Sequence, residues 1–270
     1  MGKPSAAGVL PVTRPTHGGQ TGGAAGNSSL GLAPEVRERL MKVGAANVAN
    51  ALLSRGLRST MMLGLACVDD SQDQLVGPAY TLRFIPARED LDSMANYASE
   101  GNVHRRAIEE CPEGSVLVID AMGCTTASSM GDLMAARLRR RGAAGVITDG
   151  GFRDTRGIAS TRLPCYQRVS APPATPIALH PIGLQEPLGV AGVAVYPGDI
   201  VVGDRDGVTV IPAAIVEEVA DEALRAAEYE EFVAAQIADG RSIFGLFPAT
   251  AESLGEYDRW VSAGRPRRKS

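Results

Sequence analysis

Two short apolar segments, residues 115–120 and 145–149, enclose a segment with helical spacing, and this arrangement constrains the fold more than any other feature. Residues 129–141 place apolar side chains at one-turn intervals, end in consecutive arginines and precede Gly142, as expected of a helix that stops there. Strand, helix and strand in this order form a βαβ unit, which is almost always a right-handed crossover between parallel strands. The sequence therefore predicts an α/β fold.

Charged residues stand at two places in this unit, at the start of the helix and after the second strand. Asp132 stands at the predicted helix start, and the pair Arg153 and Asp154 follows the second strand in a glycine-containing loop. Because a crossover helix begins at the sheet edge where the next parallel strand ends, these residues share one edge. Ligands of open α/β sheets bind at that edge, so we expect the three side chains to face one pocket.

The residue types in this pocket suit an anionic substrate and a cation. Free backbone amides near Leu133 and Met134 can hold a carboxylate, and Arg153 can add a bidentate contact. Asp132 and Asp154 offer oxygen ligands of the kind that Mg²⁺ or Mn²⁺ accepts. These features predict a site for a 2-oxo acid with a divalent metal. A structural alternative stays open, in which Asp132 complements the helix dipole and Arg153 pairs with Asp154.

Rare residue types disfavour other chemistries. Lysine occurs only at Lys3, Lys42 and Lys269, whereas Schiff-base catalysis needs a lysine inside a desolvated pocket. The three histidines are far apart and lack the paired spacing of a zinc site. A metal is then the available electron sink, which favours a reaction through a metal-stabilised enolate.

Composition bounds the partners and the compartment. A net charge of -4 gives no basic surface for nucleic acid or an anionic membrane. No apolar run approaches the roughly 20 residues of a membrane span, and the amino terminus lacks the apolar segment of a secretory signal. The four cysteines are too dispersed for a disulfide framework. We expect a cytoplasmic protein that binds neither nucleic acid nor membrane.

The chain is expected to divide into a disordered extension (1–33), one catalytic domain (34–247) and a C-terminal extension (248–270). The predicted helices are 34–54, 90–110, 129–141 and 213–239, and the first strand before the βαβ unit is 77–85. His104, flanked by arginines in the second of these helices, is expected at the surface. Residues 160–198 are expected to form short strands between turns.

Four segments resemble the RraA-like family: 47–52, 131–135, 145–154 and 197–208. This family includes the metal-dependent 4-hydroxy-4-methyl-2-oxoglutarate and 4-carboxy-4-hydroxy-2-oxoadipate aldolases, which also decarboxylate oxaloacetate. The resemblance covers about residues 35 to 245. It implies a single-domain swivelling β/β/α sandwich that assembles as a homotrimer or homohexamer with sites between subunits.

The resemblance also implies roles for the pocket residues. Arg153 would bind the pyruvyl carboxylate, and Asp154 would hold the metal. Asp132 would hold a water molecule, and Leu133 and Met134 would donate backbone amides to the substrate.

Two further positions follow from the same resemblance. Gly131 would contact the substrate at the start of the helix. The family's interface glutamate, which comes from a neighbouring subunit, matches Glu230 best, with Glu231 as the alternative.

The chain departs from the aldolase pattern at two positions. That pattern continues Arg-Asp-x-x-Glu/Asp, where this chain has Gly157, and a common acid of the first helix is here Asn50. These departures leave the distal half of the substrate undefined.

The predicted function is a divalent-metal-dependent carbon–carbon lyase, which releases pyruvate from a 4-hydroxy-2-oxo acid or decarboxylates oxaloacetate. Two alternatives stay open. Gly157 leaves room for a metal-dependent hydratase or dehydratase, and the family's name-giving members are non-catalytic regulators of a ribonuclease. Those regulators lack an aspartate matching Asp154, so its presence here favours an enzyme.

Overall fold

The computed structural model describes residues 31–72 and 74–265. These residues form seven α-helices: α1 Pro34–Ser54, α2 Met94–Tyr97, α3 Val103–Glu110, α4 Asp132–Arg140, α5 Thr155–Thr161, α6 Val216–Ala238 and α7 Ala251–Ser262. They also form fourteen strands: β1 Met61–Met62, β2 Ala66–Cys67, β3 Leu75–Pro86, β4 Val116–Asp120, β5 Ser128–Met130, β6 Gly145–Thr148, β7 Gly151–Phe152, β8 Cys165–Gln167, β9 Val169–Ser170, β10 Leu179–Leu184, β11 Leu188–Val190, β12 Val193–Val195, β13 Ile200–Asp204 and β14 Gly207–Ile211.

The main sheet has nine strands in the order β1-β14-β13-β3-β4-β6-β8-β2, and β10 pairs with β3 beside this path. Its centre is parallel, because β3, β4, β6 and β8 run in the same direction. The remaining pairings of the main sheet are antiparallel. The predicted βαβ unit is therefore confirmed, since β4 and β6 are adjacent and parallel and α4 lies between them in sequence.

A second, three-stranded parallel sheet lies beyond the carboxyl ends of the central strands. It consists of β5, β7 and β9. Hydrogen bonds tie it to the main sheet: Phe152 N–H donates to Gln167 Oε1 over 2.8 Å, and Ser129 Oγ donates to Thr148 Oγ1 over 3.1 Å. This small sheet holds the segments that carry the predicted site residues.

The two faces of the main sheet bury different apolar layers. Leu117 and Ile119 of β4 pack in a cluster with residues of α3, α4 and α5. Val116 and Val118 face the other way and pack against the hairpin formed by β11 and β12. Successive residues of a strand point to opposite faces of the sheet, so a strand that is covered on both faces needs apolar residues at every position. This explains the continuous apolar run at residues 116–119 of β4.

The predicted helix over residues 90–110 was wrong in extent, and the predicted surface position of His104 was wrong. Two short helices, α2 and α3, replace it, because Ser93 and Asn102 each accept a backbone N–H and start a helix of their own. His104 lies on the inward face of α3 with no exposed surface, and its ring packs edge-on against Phe84 at 5.2 Å. The neighbouring Arg105 is exposed.

The predicted start of the 129–141 helix was also wrong. Ser128–Met130 pair with β7 as a strand, so α4 begins only at Asp132, with Gly131 as its N-cap. The spacing of apolar residues over 129–141 predicted Leu133 on the apolar face of the helix together with Met134 and Leu138, but Leu133 is 82% exposed. The side chain of Leu133 therefore points toward solvent, whereas Met134 packs against the core.

The first helix, α1, has the predicted bounds but contains a break. Gly44 has φ +75° and ψ 172°, which is not helical. The amide of the next residue, Ala45, donates to Asp204 Oδ2 over 2.6 Å, so an aspartate from the β13–β14 turn starts the second half of the helix. The buried face of α1 packs against α6 and strands of the main sheet in a third apolar cluster.

The C-terminal segment packs on α6. Tyr229 and Phe232 of α6 form a separate apolar cluster with Leu246, and Tyr257 and Trp260 of α7 pack against it. The predicted extension 1–33 lies outside the described residues except for its last three. In the described part of the chain, no helix combines the length and apolar character needed to cross a bilayer.

Candidate active site

The start of α4 and the loop after β7 meet because their strands pair. Arg153 N–H donates to the Met130 carbonyl over 3.0 Å, directly before α4 begins. A cleft of about 210 Å³ opens at this junction, and Gly131, Asp132 and Arg153 lie in its wall. The full lining is Met94, Tyr97, Gly131, Asp132, Leu133, Met134, Arg153, Ala174, Thr175 and Pro176.

Gly131 allows Arg153 and Asp154 to approach the helix start. A Cβ atom at this position would lie 3.0 Å from Asp154 Oδ2 and 3.1 Å from Arg153 Nε, which is too close for most side chains. Arg153 Nε lies 3.2 Å from Asp154 Oδ2, and the two side chains are 44% and 50% exposed. Such an exposed ion pair contributes little to stability, so both groups stay available to a ligand.

Asp154 has an unusual backbone conformation. Its φ of 56° and ψ of 38° lie in the left-handed region, which costs a non-glycine residue about 1–3 kcal/mol. It stands directly before α5, yet its carboxylate makes no capping hydrogen bond to that helix. Backbone strain of this kind concentrates at functional sites, and here it presents a carboxylate that the fold itself does not use.

Asp132 lies against the backbone of α5 at Gly157. A Cβ atom at residue 157 would lie 2.5 Å from Asp132 Oδ2 and 2.7 Å from Asp132 Cβ. The carboxylate of Asp132 therefore occupies the space that a side chain at residue 157 would need. A side chain at residue 157 would therefore require Asp132 to move.

The first turn of α4 supplies backbone donors at the cleft. The first amide that bonds within the helix is that of Ala135, which donates to the Gly131 carbonyl over 3.2 Å. The preceding amides, those of Leu133 and Met134 included, have no partner inside the helix, as at any helix start. Together with the guanidinium of Arg153, they form a site suited to a carboxylate.

The opposite wall of the cleft was missed from the sequence. It comes from α2 and from the loop before β10, through Met94, Tyr97, Thr175 and Pro176. The Tyr97 hydroxyl lies 3.4 Å from Nδ1 of the buried His104. The sequence offered little indication of this wall, because α2 is a single turn. The loop before β10 lies next to α2 only in the folded chain.

Burial controls the protonation of this wall. Burial lowers the pKa of His104 from 6.5 to about 4, and the Ser129 backbone opposes that shift in part. His104 is therefore neutral at physiological pH. Burial also raises the pKa of Tyr97, so this residue is present as a phenol.

Glu230 and Asn50 lie elsewhere in the chain. Glu230 is half-buried on α6, which packs on α1 and α7 and contributes no residue to the lining of the cleft. Asn50 is exposed on α1. The predicted role of Glu230, in the site of a neighbouring subunit, stays a prediction.

The donors at the cleft fit a hydrated divalent ion. Among the described residues, no three histidine, cysteine, aspartate or glutamate side chains gather into a complete ligand set. Mg²⁺ does not need one, because it keeps several waters and binds through one or two carboxylates together with its substrate. The half-exposed carboxylate of Asp154 makes no capping bond and lies beside Arg153, so it is available for such a contact.

Comparison with known proteins identifies the family. The family model described as RraA-like, Aldolase/RraA, matches residues 45–210, which is more than half of the chain. The chain belongs to the RraA-like family. The match contains α4, the β7–α5 loop and the strands that position them.

Individual relatives cover different shares of the chain. Protein DlpA of Legionella pneumophila is 27% identical over 210 residues, covering 78% of this chain, but the match spans only 33% of DlpA. A protein of Halalkalibacterium halodurans, named as a candidate 4-hydroxy-4-methyl-2-oxoglutarate aldolase, is 34% identical over 157 residues, covering 57% of this chain and 67% of the relative. This chain thus spans about a third of one curated relative and two thirds of the other.

A solved structure supports the fold. Streptomyces coelicolor RraAS2, described as an unusual member of the RNase ES inhibitor RraA protein family, aligns with a TM-score of 0.66 and 30% identity. The alignment covers 75% of this chain and 96% of RraAS2. The predicted α/β fold, an RraA-like sandwich, is confirmed.

Proposed function

We propose that this RraA-like chain is a divalent-metal-dependent carbon–carbon lyase that acts on a 2-oxo acid. The observation that carries the proposal is the meeting of Arg153, the free amides of α4 and the Asp132 carboxylate at one cleft, with Asp154 Oδ2 beside it, 3.2 Å from Arg153 Nε. The name of the Halalkalibacterium halodurans relative supports an aldol reaction. The reaction would release pyruvate from a 4-hydroxy-2-oxo acid or, in a related step, decarboxylate oxaloacetate.

In the retro-aldol reaction the bond between C3 and C4 breaks. Its electron pair stays on C3, which takes up a proton to become the methyl group of pyruvate, while the C4 hydroxyl loses its proton and becomes a carbonyl. In this proposal Asp132, through a bound water molecule, would carry this proton. Arg153 and the amides of Leu133 and Met134 would bind and orient the carboxylate of the substrate.

Asp154 would hold the ion, Mg²⁺ or Mn²⁺. When bound, this metal supplies a Lewis acid that stabilises negative charge on the substrate oxygens, an effect worth several kcal/mol. The protein chain itself holds Arg153 beside Asp154, the proposed metal ligand. Gly131 makes this possible, because any side chain there would press on both residues.

We also propose that the enzyme acts as a homotrimer or homohexamer, with Glu230 completing the site of a neighbouring subunit as a catalytic residue. The half-exposure of Arg153 and Asp154 in the single chain is consistent with a site that a second subunit covers. Sedimentation analysis would give the oligomeric state. A monomer with full activity would contradict this part of the proposal.

The decisive test is a screen for pyruvate release over 4-hydroxy-2-oxo acids and oxaloacetate, with Mg²⁺ or Mn²⁺ and with EDTA. We expect turnover of at least one compound that EDTA abolishes and added metal restores. Turnover that resists EDTA would contradict the metal-dependent reaction, and the absence of turnover on every compound would remove the lyase proposal.

The Asp154→Asn variant tests the metal ligand directly. It removes the negative charge but keeps the size of the side chain, so we expect turnover to be lost and Mn²⁺ affinity, measured by calorimetry or electron paramagnetic resonance, to fall. Asp258→Asn on the exposed side of α7 is the matched control and should leave both unchanged. Retained turnover and Mn²⁺ binding in Asp154→Asn would contradict the assignment.

A ribonuclease regulator is the second candidate function. The observation in its favour is RraAS2, whose description places it in an RNase ES inhibitor family and which is 30% identical to this chain. A ribonuclease activity assay with the purified chain tests this candidate. Inhibition at equimolar concentration, together with no metal-dependent turnover, would favour it over the lyase.

A further inference from the structure

An aromatic side chain stands out from a hydrogen-bonded turn after α6. Phe244 is 88% exposed, although the Leu246 and Phe247 amides hold the turn by donating to the Ile243 carbonyl over 3.1 Å and 2.9 Å. Ile243 and Phe247 are exposed as well. We call residues 243–247 the Phe244 turn. Exposed apolar side chains that cluster in this way mark an interaction surface.

The Phe244 turn lies beside the part of α6 that carries Glu230. Leu246 is buried in the apolar cluster with Tyr229, and the Tyr229 hydroxyl donates to the Leu246 carbonyl over 2.5 Å. Glu230 is the next residue of α6. The exposed Ile237 follows Glu230 by seven residues, which is two helical turns, so both lie on one face of the helix. The turn and this face of α6 are therefore neighbouring parts of one surface.

A groove of about 280 Å³ between α3 and α4 has the chemistry to receive an aromatic ring. It is lined by Arg105, Ile108, Glu109, Leu133, Met134 and Arg137. Three of these side chains are apolar. The guanidinium of Arg137 is held by Glu109 through contacts of 3.0 Å and 2.7 Å. Guanidinium groups stack on aromatic faces, so the groove combines apolar contacts with cation–π contacts.

The groove adjoins the candidate active site. Leu133 and Met134 line both the groove and the cleft. A neighbouring subunit that brings Glu230 to the cleft, as proposed above, also brings the adjacent Phe244 turn toward the groove. The two depressions on one side and the two projecting groups on the other are thus neighbours in the same way.

The charges of the two surfaces are complementary. Arg137 is paired with Glu109, so the exposed Arg105 leaves the groove with a net positive charge. On the other surface, Asp239 is exposed at the end of α6 and Glu230 is half-buried on it. Opposite charges of this kind favour one orientation of the two surfaces.

We propose that Phe244 of one subunit inserts into the α3–α4 groove of the next subunit. Phe244 and the groove are different patches of the same chain, so the contact is head-to-tail, and a closed ring of subunits fills every groove. The inserted ring packs against the first turn of α4, whose amides are assigned to the substrate carboxylate. Assembly therefore braces the carboxylate-binding end of the cleft.

This inference rests on the proposed oligomer and goes beyond it by naming the contact that holds it together. Phe244 lies outside residues 45–210, which the family model matches, whereas the groove lies inside them. The family match therefore does not itself predict this contact.

The first experiment compares Phe244→Ser with Leu63→Ser by sedimentation equilibrium. Both replace an exposed apolar side chain, but Leu63 lies between β1 and β2, outside the groove and the cleft. Burial of a phenylalanine side chain is a large contribution to association, so we expect Phe244→Ser to raise the subunit dissociation constant at least tenfold. Leu63→Ser should leave it unchanged. An unchanged constant in Phe244→Ser overturns the contact.

Disulfide trapping tests where the turn docks. Ile243→Cys keeps Phe244 in place, and Arg105→Cys puts a thiol at the groove of a second batch of chains. The two batches are mixed under mild oxidation, and we expect a linked dimer beyond the background of the native cysteines. Leu63→Cys replaces Ile243→Cys in the control mixture. No linked dimer in the first mixture, or an equal yield in the control, overturns the placement.

These measurements do not depend on turnover, so they separate this inference from the lyase proposal. Weakened assembly in Phe244→Ser together with the linked dimer supports the contact even if no compound is cleaved. A parent chain that sediments as a monomer overturns the contact and the proposed oligomer together. The lyase proposal is then decided by the pyruvate screen alone.

Discussion

Asp132 depends on the absence of a side chain at residue 157. A Cβ atom at that position would lie only 2.5 Å from Asp132 Oδ2. Arg153 and Asp154 depend on Gly131 in a similar way. At the scale of single residues, the candidate site is therefore set by two glycines as much as by its charged groups.

Gly157→Ala is expected to lower turnover by about tenfold to hundredfold, because the added methyl group must push Asp132 out of place. Turnover is the readout, with Mn²⁺ affinity as a check that the metal ligand is intact. Gly255→Ala in α7, where a Cβ atom would meet nothing nearer than 3.7 Å, is the matched control. It should gain up to about 1 kcal/mol of stability and keep full activity. Normal turnover in Gly157→Ala would show that catalysis does not depend on the present position of the Asp132 side chain.

His104 should make stability depend on pH. Its pKa is about 4 in the folded chain against 6.5 for an ordinary histidine, so between these values the unfolded chain binds the additional proton. The stabilisation is complete above pH 6.5 and is lost as the pH falls toward 4, by up to about 3 kcal/mol. Urea unfolding at pH 7.5 and pH 5 would measure a loss of about 2 kcal/mol from this group. His104→Gln, which does not titrate, should show a smaller difference, and an identical difference would contradict the buried neutral ring.

At the scale of elements, α1 illustrates a long-range effect on a local structure. The apolar spacing of residues 34–54 predicted its bounds, but the break at Gly44 depends on Asp204, which is 159 residues from Ala45 in sequence. The same reason explains the start of α4. The helix was predicted to start at residue 129, yet residues 128–130 pair with β7, a partner that local spacing does not reveal.

Asp204→Ala is expected to destabilise the chain by about 1–2 kcal/mol, since it removes the side chain that accepts the Ala45 amide at the start of the second half of α1. Urea unfolding gives the difference. Asp206→Ala, an exposed change in the same turn, should stay within about 0.5 kcal/mol of the parent chain. Equal effects of the two substitutions would mean that the turn, rather than the helix start, is responsible.

At the scale of the whole molecule, the apolar cluster between α6 and α7 is separate from the three clusters around the main sheet. Trp260, the single tryptophan of the sequence, packs in this cluster with its ring 5.6 Å from that of Phe232. A small separate cluster is expected to open at a lower free energy than the sheet.

Tryptophan fluorescence should therefore change at a lower urea concentration than the circular dichroism of the whole chain. The two signals are measured on the same samples, and Trp260→Phe identifies any contribution from tyrosine. Coincident transitions would show that α7 unfolds together with the sheet in one step.

The sequence was most informative where local pattern and chemistry coincide. Two buried strands with a helix between them predicted the centre of the sheet, and the glycine and acidic residues after them located one end of the cleft. The other end could not be predicted, because Tyr97 and Thr175 come from short segments that only the folded chain brings together. His104 was misplaced for a related reason: its arginine neighbours are exposed, and only the inward face of α3 explains its burial.

The contact between Asp132 and Gly157 also has a consequence for introducing an acid at residue 157. Asp132 in its present position and a side chain at residue 157 would compete for the same volume, so an acid could enter only if the Asp132 side chain shifted. Substitutions at the two positions are therefore expected to be non-additive, and the effect of Gly157→Glu on turnover should depend on the residue at position 132.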